Sequence, residues 1–385
     1  MNKPQFAVTR FYFTLFMPGA ATVAYLPIWL DHIGITEAQI GVLNAAPMAI
    51  TLLLTVFVGR IADKATDWKQ TILIGQALAA LFAAFFGLAD TFVTVLIAWV
   101  LAVSPAIMVG PVADAATIRL GQRSGFSFGT VRAWGTAGFL LISLVTGYLA
   151  DWFGPNAFLW LFGGLSVLRV VTGYYLPVMR DPASKRSTSG GAILTKELRQ
   201  ALRLWVLLPL IGASFIFSTH MIMNGFSALV WSNQGISAGT IGFLIALAAG
   251  AEAVTMLLWK HVEFRFTARS LLMLGGAFAI LRWTLMTFEP SVPVLVLVQL
   301  LQAFSFTFAY LGGMYFIAKR TDESVSAEAQ GFFAILMQTS SIFVVMAFGP
   351  IFKVFGSDAF FFSALVCFVG IALTFASILI QKDQT

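Results

Sequence analysis

Asp114 and Arg132 are ionisable residues set into apolar runs, eighteen positions apart, with the polar stretch RLGQRSGFS (119–127) between them. A charge at membrane depth costs roughly 2.5–3.5 kcal/mol on insertion scales, so such residues face a protein interior or a wet cavity, usually beside a partner. In one straight helix the pair would lie about 27 Å apart. Folded back at the polar stretch, both sit about one and a half turns from the same membrane face, where they can meet. The second half of the chain buries Glu252, Arg282 and His220 in the same way. By helical rise Glu252 and Arg282 lie about 9 Å apart along the membrane normal. The planar fork of an Arg in a low-dielectric cavity suits both oxygens of a carboxylate. A carboxylate in apolar surroundings can pick up a proton in the working pH range. The chemistry on offer is therefore anion binding and proton transfer, without bond breaking.

The rest of the chain has to supply a cavity for these groups. It has 385 residues, 59% hydrophobic and 10% charged, with a mean hydropathy of +0.89. Soluble domains carry about 25% charge, and no soluble core absorbs this much apolar side chain, so the composition requires a polytopic membrane protein. The net charge of +6 and pI of 9.5 do not indicate nucleic acid, because the basic residues sit in short loops between apolar runs. Cys367 is the single cysteine, which excludes a disulfide framework and a thiol metal site. The first apolar run has no small-residue cleavage site and is read as a spanning helix.

Twelve apolar runs of spanning length are expected, at about 6–30, 38–62, 69–89, 91–119, 127–150, 155–177, 202–231, 238–260, 268–288, 291–318, 327–352 and 357–381. The basic, Ser/Gly-rich stretch 178–201 divides them into a six-helix bundle at 1–177 and another at 202–385. Of the 23 Lys and Arg residues, Arg132, Arg169 and Arg282 fall within helices and Lys353 alone lies outside. The others lie on one side, which makes both termini and the 178–201 linker cytoplasmic. Arg169 is expected to snorkel to that face and receives no role. Trp29, Trp68, Trp152, Trp231 and Trp259 fall near interfaces; Trp99, Trp134 and Trp283 lie deeper and are candidates for lining a cavity. Pro18-Gly19, Pro27, Pro47, Pro105 and Pro111 are expected to interrupt the first, second and fourth helices.

GITEAQIGVL (34–43) and GISAGTIGFL (235–244) repeat at the same point of the two halves. Six-helix halves related by an axis along the membrane normal, with a site between them near the midplane, describe one transporter architecture. GRIADKATDWK (59–69) resembles the loop motif of the major facilitator superfamily, with Gly59, Asp63 and Lys64 as its gating-loop residues. FSFGTVRAWGTAGF (126–139) resembles the fifth helix of the lactose permease and its relatives. STHMIMNGFSALVW (218–231), GAEAVTMLLW (250–259), LRW (281–283) and VQLLQAFSFTFAYLGGMYFIAKR (298–320) resemble the phenylpropionate permease family, a branch of the same superfamily. The resemblance implies an all-α fold of twelve transmembrane helices in two pseudo-symmetric bundles. It implies a substrate contact for Arg132 and a structural or proton-linked role for Asp114, and it picks out His220, Glu252, Arg282 and Trp283. Where these families carry a His in the tenth helix, this chain has Gln302, which hydrogen-bonds but does not titrate near neutral pH.

The expected function is secondary active transport: proton-coupled uptake of a small organic anion such as an aromatic carboxylate, by alternating access. Arg132, Asp114, Trp134, Arg282, Trp283, His220 and Gln302 are the substrate-site candidates, and Glu252 and Asp114 the proton carriers. A sugar or nucleoside symporter is the alternative, and a scramblase or a sensor lies further off. No cofactor is called for. There is no Gly-Lys-Ser/Thr phosphate loop and no Gly-x-Ser-x-Gly elbow, so no enzyme is read here. His32, His220 and His261 lie in separate regions and are not read as a metal set. The fifth helix lacks the Gly-Pro pair of drug–proton antiporters, which weighs against efflux. Substrate, proton and lipid bilayer are the expected partners, nucleic acid is not, and the chain is expected to act as a monomer in a bacterial inner membrane.

Overall fold

A computed structural model describes residues 2–180, 202–259, 266–320 and 326–382. The 181–201 part of the linker and His261 lie outside them. The described residues are helical in twelve passes: α1 (Lys3–His32), α2 (Glu37–Lys64), α3 (Trp68–Phe85), α4 (Phe92–Ser124), α5 (Phe128–Phe153), α6 (Ala157–Tyr174), α7 (Leu204–Asn233), α8 (Ala238–Leu258), α9 (Ala268–Thr287), α10 (Val292–Ala318), α11 (Ser326–Phe355) and α12 (Phe360–Lys382). The last apolar run, Glu328–Gln381, spans 54 residues. That is far longer than a bilayer needs, and a 3₁₀ turn at Gly356–Ala359 divides it into two passes.

Several helix ends differ from the expected ones, and the reason is local. α4 runs on through RLGQRS to Ser124 instead of stopping near 119. Polar residues continue a helix as readily as apolar ones, and the stop comes at Gly125, whose φ of 72° suits a residue without Cβ. Thr91 and Thr267 begin α4 and α9 with reciprocal capping boxes. Only some prolines break helices. α1 breaks at Phe16, before Pro18, and α4 breaks at Val109, before Pro111. Pro27, Pro47 and Pro105 sit inside continuous helices. α10 breaks at Leu301 without a proline.

Two compact units emerge. The first holds residues 1–35, 46–189 and 237–246, the second 36–45, 190–236 and 247–385. The stretches counted with the opposite half cover most of the repeated decapeptide. Both repeats also build the same local structure. Gly34 and Gly235 take φ of 82° and 77°, and the next N–H of each closes back on Leu30 or Trp231. Thr36 and Ser237 then cap the following helices.

In the first unit an aliphatic and aromatic cluster around Val8, Tyr12, Ile72, Ala116, Leu120 and Val131 fills one end. A ring cluster of Trp29, Phe86, Trp99, Phe158 and Phe162 fills another level. In the second unit Val206, Leu210, Leu272, Phe316 and Phe333 pack together. Trp29, Trp68, Trp231 and Trp259 are thus core residues rather than a belt; among the expected interfacial tryptophans only Trp152 is well exposed, at 75%.

Small residues set the closest approaches. A Cβ on Gly138 of α5 would lie far inside contact distance of the Phe13 carbonyl oxygen of α1, so even one methyl must push the helices apart. Gly138→Ala is expected to lose about 1–3 kcal/mol, the usual range for overpacking. Gly164→Ala, where nothing lies within 4 Å, should be neutral or mildly stabilising. Thermal unfolding of both purified variants checks the difference; equal melting temperatures would refute the tight approach.

Candidate functional site

Each unit carries one group of inward polar residues. In the first, the Tyr12 hydroxyl donates to Asp114 Oδ1 at 2.5 Å. Tyr12 is buried and Asp114 partly so. Arg132 lies on the face of Phe16, with its guanidinium carbon 4.1 Å from the ring centroid. Gly135, three residues on, permits that placement, because a Cβ there would meet the Phe16 ring at 2.6 Å. Phe16 is also the residue at which α1 breaks.

The expected meeting of Asp114 with Arg132 does not occur: the carboxylate bonds to Tyr12 and the guanidinium stacks on Phe16. The extended α4 explains this. Counted from the Gly125 turn, Asp114 sits about 15 Å up its helix and Arg132 only about 6 Å up its own. Asp114 bonds the Tyr12 phenol, and Arg132 lies within electrostatic range of the same group.

In the second unit Arg282 is 1% exposed. Its Nη1 donates to Gln302 Oε1 and its Nη2 to Gln299 Oε1, the latter at 2.8 Å. The break at Leu301 falls between the two glutamines and turns both amides toward one guanidinium. The Arg282 head also lies over Trp283, 4.8 Å from the ring centroid, and its Nε has no partner. Glu252 of α8 reaches the same Gln302 and lies within electrostatic range of Arg282. Gln302, where the related families carry a His, thus stands between the base-like carboxylate and the fixed cation.

His220 is buried, with Nδ1 2.9 Å from the Ile216 carbonyl and Nε2 2.9 Å from Ser305 Oγ. A carbonyl only accepts, so Nδ1 carries the proton and Nε2 accepts from the serine. Trp283 is fully buried, donates to Thr219 at 3.0 Å and stacks on Phe360. It therefore holds the bundle together rather than walling an open space. Trp134 is half-exposed, touches Phe13 edge-on, and sits about 200° around α5 from Arg132, on a different face.

At the expected gating loop, Gly59 has no atom within 4 Å of its Cβ position, so it makes no close approach. Lys64 is exposed at the end of α2, and the Asp63 side chain lies outside the description. Asp67 caps the start of α3. Its Oδ1 accepts from Lys69 N–H at the start of α3 and from Met179 and Arg180 N–H beyond α6. Lys69 Nζ donates to the Leu176 carbonyl in the same corner.

The full arrangement has the features of a membrane transporter: twelve passes, breaks in three helices beside polar groups, and charges in the interior of each unit. The chain belongs to the MFS_1 like family, whose model matches residues 6–364. A probable 3-phenylpropionic acid transporter of Escherichia coli K12 is 28% identical over 364 residues, covering 92% of this chain and 93% of that protein. A maltose permease of Geobacillus stearothermophilus is 24% identical, covering 83% and 80%. Among solved structures, the nucleoside transporter NupG superposes with a TM-score of 0.83 at 17% identity, over 99% of this chain and 100% of that one. A D-xylose–proton symporter gives 0.74 at 12% identity, over 97% and 96%. These two show the shared fold.

Proposed function

We propose that this protein is a proton-coupled importer of a small organic anion, with an aromatic carboxylate as the preferred class. The observation that carries the proposal is Arg132. It is a guanidinium inside the first unit with no carboxylate bonded to it among the described residues, placed over the face of Phe16. Its N–H donors, unbonded among the described residues, suit both oxygens of an incoming carboxylate, and Phe16 offers an aromatic surface beside them. The similarity to the probable 3-phenylpropionic acid transporter supports the same class. Arg282 is a second cation for the ligand, reached through Gln302. Glu252 carries the proton, with Asp114 and its Tyr12 partner second. The six-helix halves alternate access by rocking. The protein works as a single chain in the inner membrane of a bacterium, with both termini cytoplasmic, and performs no catalysis.

The sugar-permease relatives favour one competing reading, proton-coupled transport of a sugar or nucleoside. Whole-cell uptake of labelled 3-phenylpropionate tests the two together. Excess aromatic or aliphatic acid should suppress it, while maltose, raffinose and nucleosides leave it unchanged. Suppression by a sugar or nucleoside, or no uptake of any acid, contradicts the proposal.

A further inference from the structure

Arg169 was expected to reach the cytoplasmic face, but it is 7% exposed and stays inside the bundle of α1, α3, α4 and α6. It lies at the centre of the buried face of α6, in line with Phe158, Phe162, Leu165 and Thr172. The guanidinium makes no side-chain hydrogen bond among the described residues, and its Nε is sealed from solvent without a partner. Ser166, one turn away, is fully buried with an unpartnered hydroxyl. Gln76 of α3 is fully buried with both amide atoms unpartnered.

The register of α3 against α6 brings these groups to one level. A Cβ on Gly173 would touch Leu73, one on Gly163 would come near Ala83, and one on Gly87 would touch Leu159. Extending that antiparallel register puts Arg169 opposite position 77, one residue from Gln76. The azimuths agree. On α6, Arg169 lies between the side facing α3, marked by Gly173, and the side facing α1, where Thr172 bonds Thr14. On α3, Gln76 lies between the side facing α6 and the side facing α4, where Gly75 meets Pro105 and Val109. Both residues therefore face the axis of the four helices. By helical register the Trp29–Phe86–Trp99–Phe162 rings lie on one side of this level and the Phe11–Ile72 cluster on the other.

This buried layer holds a fixed positive charge and many more donors than acceptors. The guanidinium, the Gln76 amide and the Ser166 hydroxyl supply the N–H and O–H groups, and the Gln76 oxygen is the one dedicated acceptor. Asp114, the carboxylate within the membrane part of these helices, is committed to Tyr12. It sits roughly 10 Å lower in the bundle by helical rise. A buried charge needs a counter-charge, and the close packing nearby, where a Cβ on Gly75 would meet Val109 and Pro105, favours a small inorganic ion over an organic acid. We infer that Arg169, Gln76 and Ser166 bind a small monovalent inorganic anion, with chloride as the fitting size. This site is separate from the Arg132 group and does not depend on what the protein transports.

The test is the melting temperature of the purified full-length protein in sodium chloride against sodium gluconate at equal ionic strength. Chloride should raise it in a saturable way by about 3 °C or more at high occupancy, with bromide acting like chloride. Arg169→Gln should remove the halide dependence. Gln76→Glu builds a carboxylate beside Arg169, so it should abolish the chloride effect and raise the melting temperature in gluconate. That second variant decides the matter where Arg169→Gln does not fold. A wild-type protein indifferent to chloride, as expected if only water fills the layer, overturns the inference. So does a Gln76→Glu protein that responds to chloride like wild type.

Discussion

Arg132→Gln should abolish uptake of aromatic acids while the protein still reaches the membrane in normal amount. The guanidinium offers a charge-assisted fork, and hydrogen bonds to a charged group contribute about 1.5–3 kcal/mol each. Losing both arms of the fork corresponds to roughly a hundredfold or greater loss of affinity, at about 1.4 kcal/mol per tenfold. Arg132→Lys keeps the charge but loses the planar fork and the guanidinium contact with Phe16, so it should retain weak uptake. Transport assays beside a membrane-fraction immunoblot separate the site from the fold. Normal uptake by the glutamine variant would remove Arg132 from the site. Because Asp114 is bonded to Tyr12 and not to Arg132, Arg132→Gln should not strand a carboxylate, and its melting temperature should stay near wild type. A large loss of stability would instead point to a purely structural cation.

The second large effect is expected at Glu252. Glu252→Gln keeps the shape and the hydrogen bond toward Gln302 but cannot carry a proton. In proteoliposomes with an imposed pH gradient, the variant should fail to accumulate acid above the external concentration, a drop in accumulation ratio to about one. Counterflow exchange, which needs substrate binding and alternation but no net proton movement, should persist. Accumulation at the wild-type level by Glu252→Gln would shift the proton to Asp114, and then Asp114→Asn should be the variant that uncouples. Tyr12→Phe would report on that alternative, because it removes the donor to the Asp114 carboxylate without touching Glu252.

How far these residues could be read from the chain depends on what each inference needed. The twelve passes follow from apolar length alone, and the lengths of α7 or α9 match their runs closely. The end of α4 was not legible, because polarity marks where a helix leaves an apolar environment and not where its hydrogen bonds stop. Gly125 set that end, and with it the levels of Asp114 and Arg132. Depth was legible for Trp134 and Trp283, but azimuth was not: hydrophobicity all round a spanning helix gives no phase. One tryptophan proved half-exposed on another face and the other sealed in the core. Tyr12 and Gln299 were invisible as site residues, because a lone hydroxyl or amide in an apolar run has no pattern until its partner from another helix is known. Gln302 was noticed only as a departure from a family pattern, and its position between Arg282 and Glu252 came from the break at Leu301. Arg169 shows the opposite error. A long side chain a turn or more from a helix end is free to snorkel by sequence, yet here it stays buried in the bundle.

The central claim is that the unneutralised cation over Phe16 recognises a carboxylate. The most direct measurement is calorimetric binding to the purified wild-type protein of 3-phenylpropionate and of its neutral amide, 3-phenylpropionamide. The two match in ring, chain length and bulk and differ in charge. The account predicts saturable binding of the acid, at least tenfold weaker binding of the amide, and loss of that preference in Arg132→Gln. Equal affinity for acid and amide, or an acid preference that survives in Arg132→Gln, would contradict it.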